Sequence, residues 1–222
     1  MSQNRSAAVM QQRSEPHDSL DDFPTPPWAT RALLDELHRV GLIHRNDTAR
    51  EPCANRGFMV RPLEEYFVTV DALDIHDYGA GYRQEDYLFG GDLMEVNWTF
   101  MNPPFRLAQQ FIQKAKRESL SGVAALVRSA FIEGIDRYHT LYAIDPPDYL
   151  FQFAERVPMV KGRYDPKAST ATSYCWLVWK RHGSGNTKLR WIAPCRKRLE
   201  RLQDYPADHL EQAPASDVSE AA

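Results

Sequence analysis

Residues 99–105 read TFMNPPF. Thr99, Phe100 and Met101 have the β-branched and apolar character of a short buried strand. The strand ends in a side-chain amide, Asn102, two prolines, Pro103 and Pro104, and an aromatic ring, Phe105. Proline fixes φ and removes a backbone donor, so the carbonyls of such a loop keep one aim. An aromatic ring offers a face to a nucleobase, worth about 1–3 kcal/mol per stacked base. Read alone, the tetrapeptide is either a stiff turn or a site, and its company decides between the two.

Two more features fall where strands are expected to end. The loop EPCANRG, residues 51–57, ends on a single glycine, Gly57, and Asp74 closes the stretch FVTVDALD. A phosphate-cradling loop calls for more glycine. A loop followed one strand later by an acid suits a nucleoside whose ribose hydroxyls need a carboxylate acceptor. Asn55 and Arg56 precede Gly57. Asn tolerates left-handed backbone angles, which keeps the turn possible, while Arg56 is a bulky neighbour for any ligand.

These features need a sheet to carry them. In FPTPPWATRALLDELHRVG, Thr25 suits an N-cap, the prolines suit a first helical turn, and Gly41 suits a stop. Met59, Leu63 and Tyr66 predict a short helix. FVTVDALDI, YLFGGDLMEV, NWTFM, GVAALV, YLFQFAERVPMV and ATSYCWLVWKR read as strands. RLAQQFIQKAKRESLSG and RYHTLYAI read as helices. The stretch RNDTARE, where a first strand should lead into Glu51, has almost no apolar run. Helix and strand alternate and then give way to a strand pair. That order predicts an α/β fold: a mostly parallel sheet with helices on both faces and an antiparallel edge hairpin.

From Phe23 to about Lys180 the sequence resembles the phage-type DNA adenine-N6 methyltransferase family, class I enzymes that use S-adenosylmethionine. The resemblance rests on FPTPPWAT, EPCANRGFMVRPLEEYF, ALDIHDYG, GGDL, NPPF, GVAALVRSAFIEG, QFAERVPMVKGR and STATSYCWLVW, in that order. It implies a Rossmann-like, seven-stranded sheet and S-adenosylmethionine as cofactor. It places Phe23 and Thr25 over the methionine end of that cofactor, Glu51, Cys53 and Gly57 in its first loop, Asp74 at its ribose and Asp92 near its adenine. Asn102, Pro103, Pro104 and Phe105 become the catalytic tetrapeptide. The Asn102 oxygen and the Pro103 carbonyl accept the two hydrogens of an adenine amino group, Pro104 locks the loop, and Phe105 stacks on the base. The implied partner is DNA, double-stranded, with the target adenine flipped out at a cost of a few kcal/mol.

Composition sets the remaining bounds. The chain has 222 residues, a formal net charge of −3 and three cysteines with no metal or disulfide spacing. No apolar run is long enough to span a membrane and the N-terminus lacks a signal-peptide core, so a reducing bacterial or phage-infected host cytoplasm is expected. Residues 1–20 and the acidic segment 204–222 read as disordered, 21–182 as the catalytic domain, and 183–203 as a basic extension. Lys161, Arg163, Tyr164 and Lys167, on the connection KGRYDPKAST, are the candidate nucleic-acid contacts. No separate target-recognition domain fits in this length, so recognition is expected from loops, a partner or a short target. Two other readings stand: an RNA base-amine or protein glutamine methyltransferase of the same fold, and a non-catalytic nucleic-acid-binding protein. The recognition sequence and the oligomeric state are not readable.

Overall fold

Pro27, near the start of its helix, and the periodic Trp28, Leu33 and Leu37 produce α1, Pro27–Arg39. Thr25 is not its cap: Pro26 takes that position, without a side-chain bond, and Thr25 is buried instead. The helix stops at Gly41, whose φ of +70° lets its N–H reach the His38 carbonyl and the Leu42 N–H reach that of Leu37. The computed structural model describes residues 21–91, 93–163, 165 and 170–204. Asp92, Tyr164, Lys167 and the terminal segments 1–20 and 205–222 lie outside the described residues.

Eight strands form one sheet in the order β3-β2-β1-β4-β5-β7-β6-β8. They are β1 (Thr48–Glu51), β2 (Thr69–Asp74), β3 (Arg83–Gln84), β4 (Val96–Met101), β5 (Ser119–Arg128), β6 (Tyr149–Phe153), β7 (Tyr174–Lys180) and β8 (Lys188–Ile192). The first five run parallel, and β7 lies antiparallel between β5 and β6. The expected strand pair is β6–β7, with β7 also antiparallel to β5, and an eighth strand, β8, runs parallel to β6 at the edge. It arises within the basic stretch, which therefore joins the sheet. Helices α2 (Val60–Glu64), α3 (Ala108–Glu118), α4 (Ile135–Arg137) and α5 (Arg196–Leu199) complete the frame, with a π turn at Tyr138–Tyr142.

Alternation along the central strands gives each sheet face its own core. Trp98 and Phe100, Ala124 and Leu126, and Trp176 and Val178 pack against α1 and the α2 region. Met101, Val123, Ala125, Val127, Leu177 and Trp179 pack against Phe111, Ile112 and Ala115 of α3. Each fully buried Val, Leu, Ile, Phe or Met among them contributes about 1.5–3 kcal/mol.

Two stretches behave differently from their composition. RNDTARE does form a central strand, β1, because its charge is internally paired. Arg50 is buried, with its Nε donating to Asp71 at 2.8 Å and its guanidinium also bonding the Met94 carbonyl. Of YLFGGDLMEV only its last residue, Val96, is in a strand among the described residues, as the start of β4. The Asp86 carboxylate accepts from the Leu88 and Phe89 amides and holds a turn there, while Tyr87 fills the core.

Candidate active site

Strands β1, β2 and β4 end at one edge of the sheet, and a cavity of about 280 Å³ opens above their carboxyl ends. Glu51 from β1, Asp74 from β2 and Asn102 after β4 all line it. This is the place where an open α/β sheet leaves room for a ligand.

The tetrapeptide Asn102–Phe105 is held from outside itself. The Asn102 side-chain amide donates to the Phe23 carbonyl at 2.9 Å and lies 3.8 Å from the Met159 sulfur. Fixing the amide nitrogen fixes the oxygen as well. Among the described residues nothing donates to the Asn102 Oδ1 or to the Pro103 carbonyl. The Phe105 amide donates to Asp21 at 2.8 Å, and the Leu107 amide donates to the Pro104 carbonyl at 2.9 Å, turning the chain toward α3.

The cofactor-loop candidate is tied to the same strap. Asn55 has φ +49°, and its side-chain amide donates to Asp22 at 2.7 Å. The Arg56 guanidinium also pairs with Asp22, at 3.0 Å, and lies over the Tyr78 ring rather than in the cavity. Gly57 sits behind the lining at φ +80°. That φ favours glycine, and a Cβ there would come within 2.1 Å of the Tyr82 hydroxyl, so any larger residue would also displace the Tyr82 side chain. The Gly162 amide donates to the Asp22 carbonyl at 2.8 Å, which brings Lys161 and Arg163 alongside. Asp21, Asp22 and Phe23 therefore bind three loops together.

The acids face inward. Asp74 accepts from the Asn55 and His76 amides, both at 2.9 Å; burial raises its carboxyl while those two bonds pull it down. Glu51 is 2% exposed, and its Oε2 has no partner among the described residues. Burial first and then Asp74 push its carboxyl well above the usual range, and burial with the same two carboxylates raises the Cys53 thiol. An unpaired buried carboxylate oxygen in a cavity is a receptor for a cation.

Phe23 and Thr25 line the cavity with Cys53, whereas Pro103 and Phe105 face an adjoining hollow of about 190 Å³. There the Arg128 guanidinium lies 3.8 Å from the centre of the Phe105 ring, and Phe23 packs against that ring at 5.4 Å. Nothing in the sequence marks Asp21, Asp22 or Arg128 as site residues. The first two stand in a polar N-terminal run, and an arginine at a strand end carries no signal beyond solvation. Among the described residues no cluster suited to a metal and no membrane-crossing helix occurs, and all three cysteines are free thiols.

No family model matches the sequence, and no curated protein does. Solved structures match the fold. The methyltransferase subunit of a type I restriction-modification system from Streptococcus thermophilus aligns at TM-score 0.59 and 8% identity, covering 86% of this chain and 52% of that one. A Listeria monocytogenes protein assigned to the class I S-adenosylmethionine-dependent methyltransferases aligns at 0.57 and 12% identity, covering 76% and 65%. A Pyrococcus horikoshii protein assigned as an RNA methyltransferase aligns at 0.56 and 15% identity, covering 75% and 90%. The chain thus spans 65% of the Listeria protein and about half of the restriction-modification subunit. With its strand order, these likenesses show that the chain has the Rossmann-like fold of the class I methyltransferases.

Proposed function

We propose that this protein is an S-adenosylmethionine-dependent DNA methyltransferase acting on the N6 amino group of adenine. The observation that carries the reading is the anchoring of Asn102: its nitrogen is occupied by the Phe23 carbonyl, and among the described residues nothing donates to its oxygen or to the Pro103 carbonyl. An adenine amino group is a poor nucleophile because its lone pair is delocalised into the ring. Two fixed acceptors hold its two hydrogens and favour a pyramidal nitrogen whose lone pair is localised. That is positioning with electrostatic help, and no covalent intermediate is needed. The nitrogen would gain the methyl group as the sulfonium–methyl bond breaks to leave a neutral thioether, and it would release one proton to solvent.

The cavity suits the cofactor. Glu51 Oε2 would pair with a cationic group of the methionine moiety, and Asp74 would accept the ribose hydroxyls. When bound, S-adenosylmethionine supplies a methyl group activated on a sulfonium. Phe23 and Thr25 close the cavity beside Asn102 and exclude water from it. Phe105 provides the stacking face, and Lys161 and Arg163 lie on the segment tied to Asp22, where phosphates of a bound strand would pass. The fold shared with a restriction-modification methyltransferase subunit supports DNA as the substrate.

The test is transfer of a labelled methyl group to unmethylated DNA, with RNA and protein fractions in parallel and Asn102→Ala as control. N6-methyladenine in DNA, lost in the control, supports the reading. Label confined to RNA or protein replaces it with one of the other substrates, and no transfer to any fraction overturns it.

A further inference from the structure

At the opposite end of the sheet the structure has a larger cavity, about 980 Å³, that the reaction does not use. It lies where β5 begins and β7 ends, beside the C-terminal turn of α3. Lys116, Arg117, Lys180, Arg181 and His182 line it, and Asp145 is the one carboxylate among its described lining residues. Lys116 pairs with Asp145, and burial pulls its ammonium down to about 8. Arg181 is spent on the helix end, donating to the Lys116 and Arg117 carbonyls. Arg117 and His182 are exposed and have no partner among the described residues.

The sequence KRHGSG, residues 180–185, supplies a second feature. Asp148 is buried and accepts from the Lys180 amide at 2.8 Å and the Ser184 amide at 3.0 Å, while its Nζ neighbour Lys180 lies 3.5 Å away. This carboxylate shapes the turn, and a Cβ at Gly183 would come within 2.5 Å of it. Gly183 and Gly185 line the cavity, and their N–H groups have no acceptor among the described residues. A glycine turn with open amides next to excess cations is the arrangement that receives phosphate oxygens. Leu141 and Ile144 form an apolar wall alongside, and Ile144 is 74% exposed.

We infer that this cavity is a second binding site, for a phosphate-bearing ligand, on the face of the sheet edge remote from Asn102. The site is built by the KRHGSG turn and Lys116–Arg117, and it does not depend on the methyl-transfer reading. Its phosphate can belong to a free nucleotide or to a nucleic-acid backbone.

Calorimetry of the full chain with inorganic pyrophosphate tests it, alongside the double variant Arg117→Gln/His182→Gln and, separately, Asn102→Ala. Both altered side chains of the double variant are exposed, so its fold is checked simply by an unchanged melting temperature. The expected result is saturable binding that weakens with salt, falls about tenfold in the double variant and is unchanged by Asn102→Ala. Displacement of pyrophosphate by ADP marks a nucleotide as the source, and displacement by a short duplex marks a backbone; either supports the site. Absence of saturable binding, or binding untouched by the double variant, overturns it.

Discussion

The side-chain nitrogen of Asn102 donates to the Phe23 carbonyl at 2.9 Å, so the residue proposed to hold the substrate amine is itself held by backbone 79 residues away in sequence. Asn102→Asp removes that donor and sets a carboxylate against a carbonyl oxygen. The expected outcome is a fall in single-turnover methyl transfer of at least about tenfold, with cofactor affinity within twofold of wild type. Asn102→Ala, which also removes the acceptor, should cost about 10²–10³-fold, the scale seen when one fixed polar group is lost from a reacting centre.

Asp22 should matter to both stability and cofactor binding. It accepts from Asn55 and Arg56 through its side chain and from Gly162 through its carbonyl. Asp22→Ala leaves the Asn55 amide and the Arg56 guanidinium without their acceptor. Denaturant unfolding should show a loss of about 1.5–3 kcal/mol, the range for hydrogen bonds to charged groups. Cofactor affinity should fall as well, because Asn55 lines the cavity, whereas Asp22→Asn should retain part of both.

Glu51 gives a pH dependence with a definite sign. Its carboxyl is raised well above the ordinary 4.5 by burial, so the unfolded chain releases this proton at lower pH than the folded one. Its contribution to stability is full below 4.5 and is lost as pH rises through the folded value. Glu51→Gln should therefore stabilise the ligand-free protein near neutral pH, read as a higher melting temperature. A cationic ligand favours the ionised carboxylate, so wild-type affinity for S-adenosylmethionine should rise with pH over the same window. Glu51→Gln should bind more weakly and lose that part of the pH slope. Equal affinity and an unchanged slope would remove Glu51 from the cofactor site.

Arg31 and Asp204 form a bidentate ion pair, 2.7 and 2.8 Å, with both side chains almost wholly buried. Glu65 completes the arrangement from the other side at 2.7 Å. Asp204→Ala should cost about 3–5 kcal/mol, since it leaves a buried guanidinium short of a partner. The pair Arg31→Met/Asp204→Leu should recover most of that loss in the same unfolding measurement.

What the sequence reveals follows from how local each signal is. Asn102–Phe105 is legible because its four residues are contiguous, and β5 is legible because GVAALV is apolar on both faces. β1 hides because Arg50 is buried through ion pairs that no composition displays. β8 hides because KLRWI reads as part of a basic surface, although it pairs with β6 along its whole length. YLFGGDLMEV misleads in the other direction: Tyr87 enters the core from a turn held by Asp86, while Phe89 and Met94 are exposed. Asp204 accepts from Arg31, a contact spanning 173 residues that no local pattern displays. The strap Asp21–Asp22–Phe23 escapes notice for the same reason, since its bonds to Asn55, Asn102 and Phe105 each reach more than thirty positions along the chain.

The most direct test of the central claim is the nucleoside composition of unmethylated DNA after incubation with the protein and labelled S-adenosylmethionine. The account predicts label in N6-methyladenine, absent with Asn102→Ala. Label in another nucleoside, or equal label with wild type and Asn102→Ala, would contradict it.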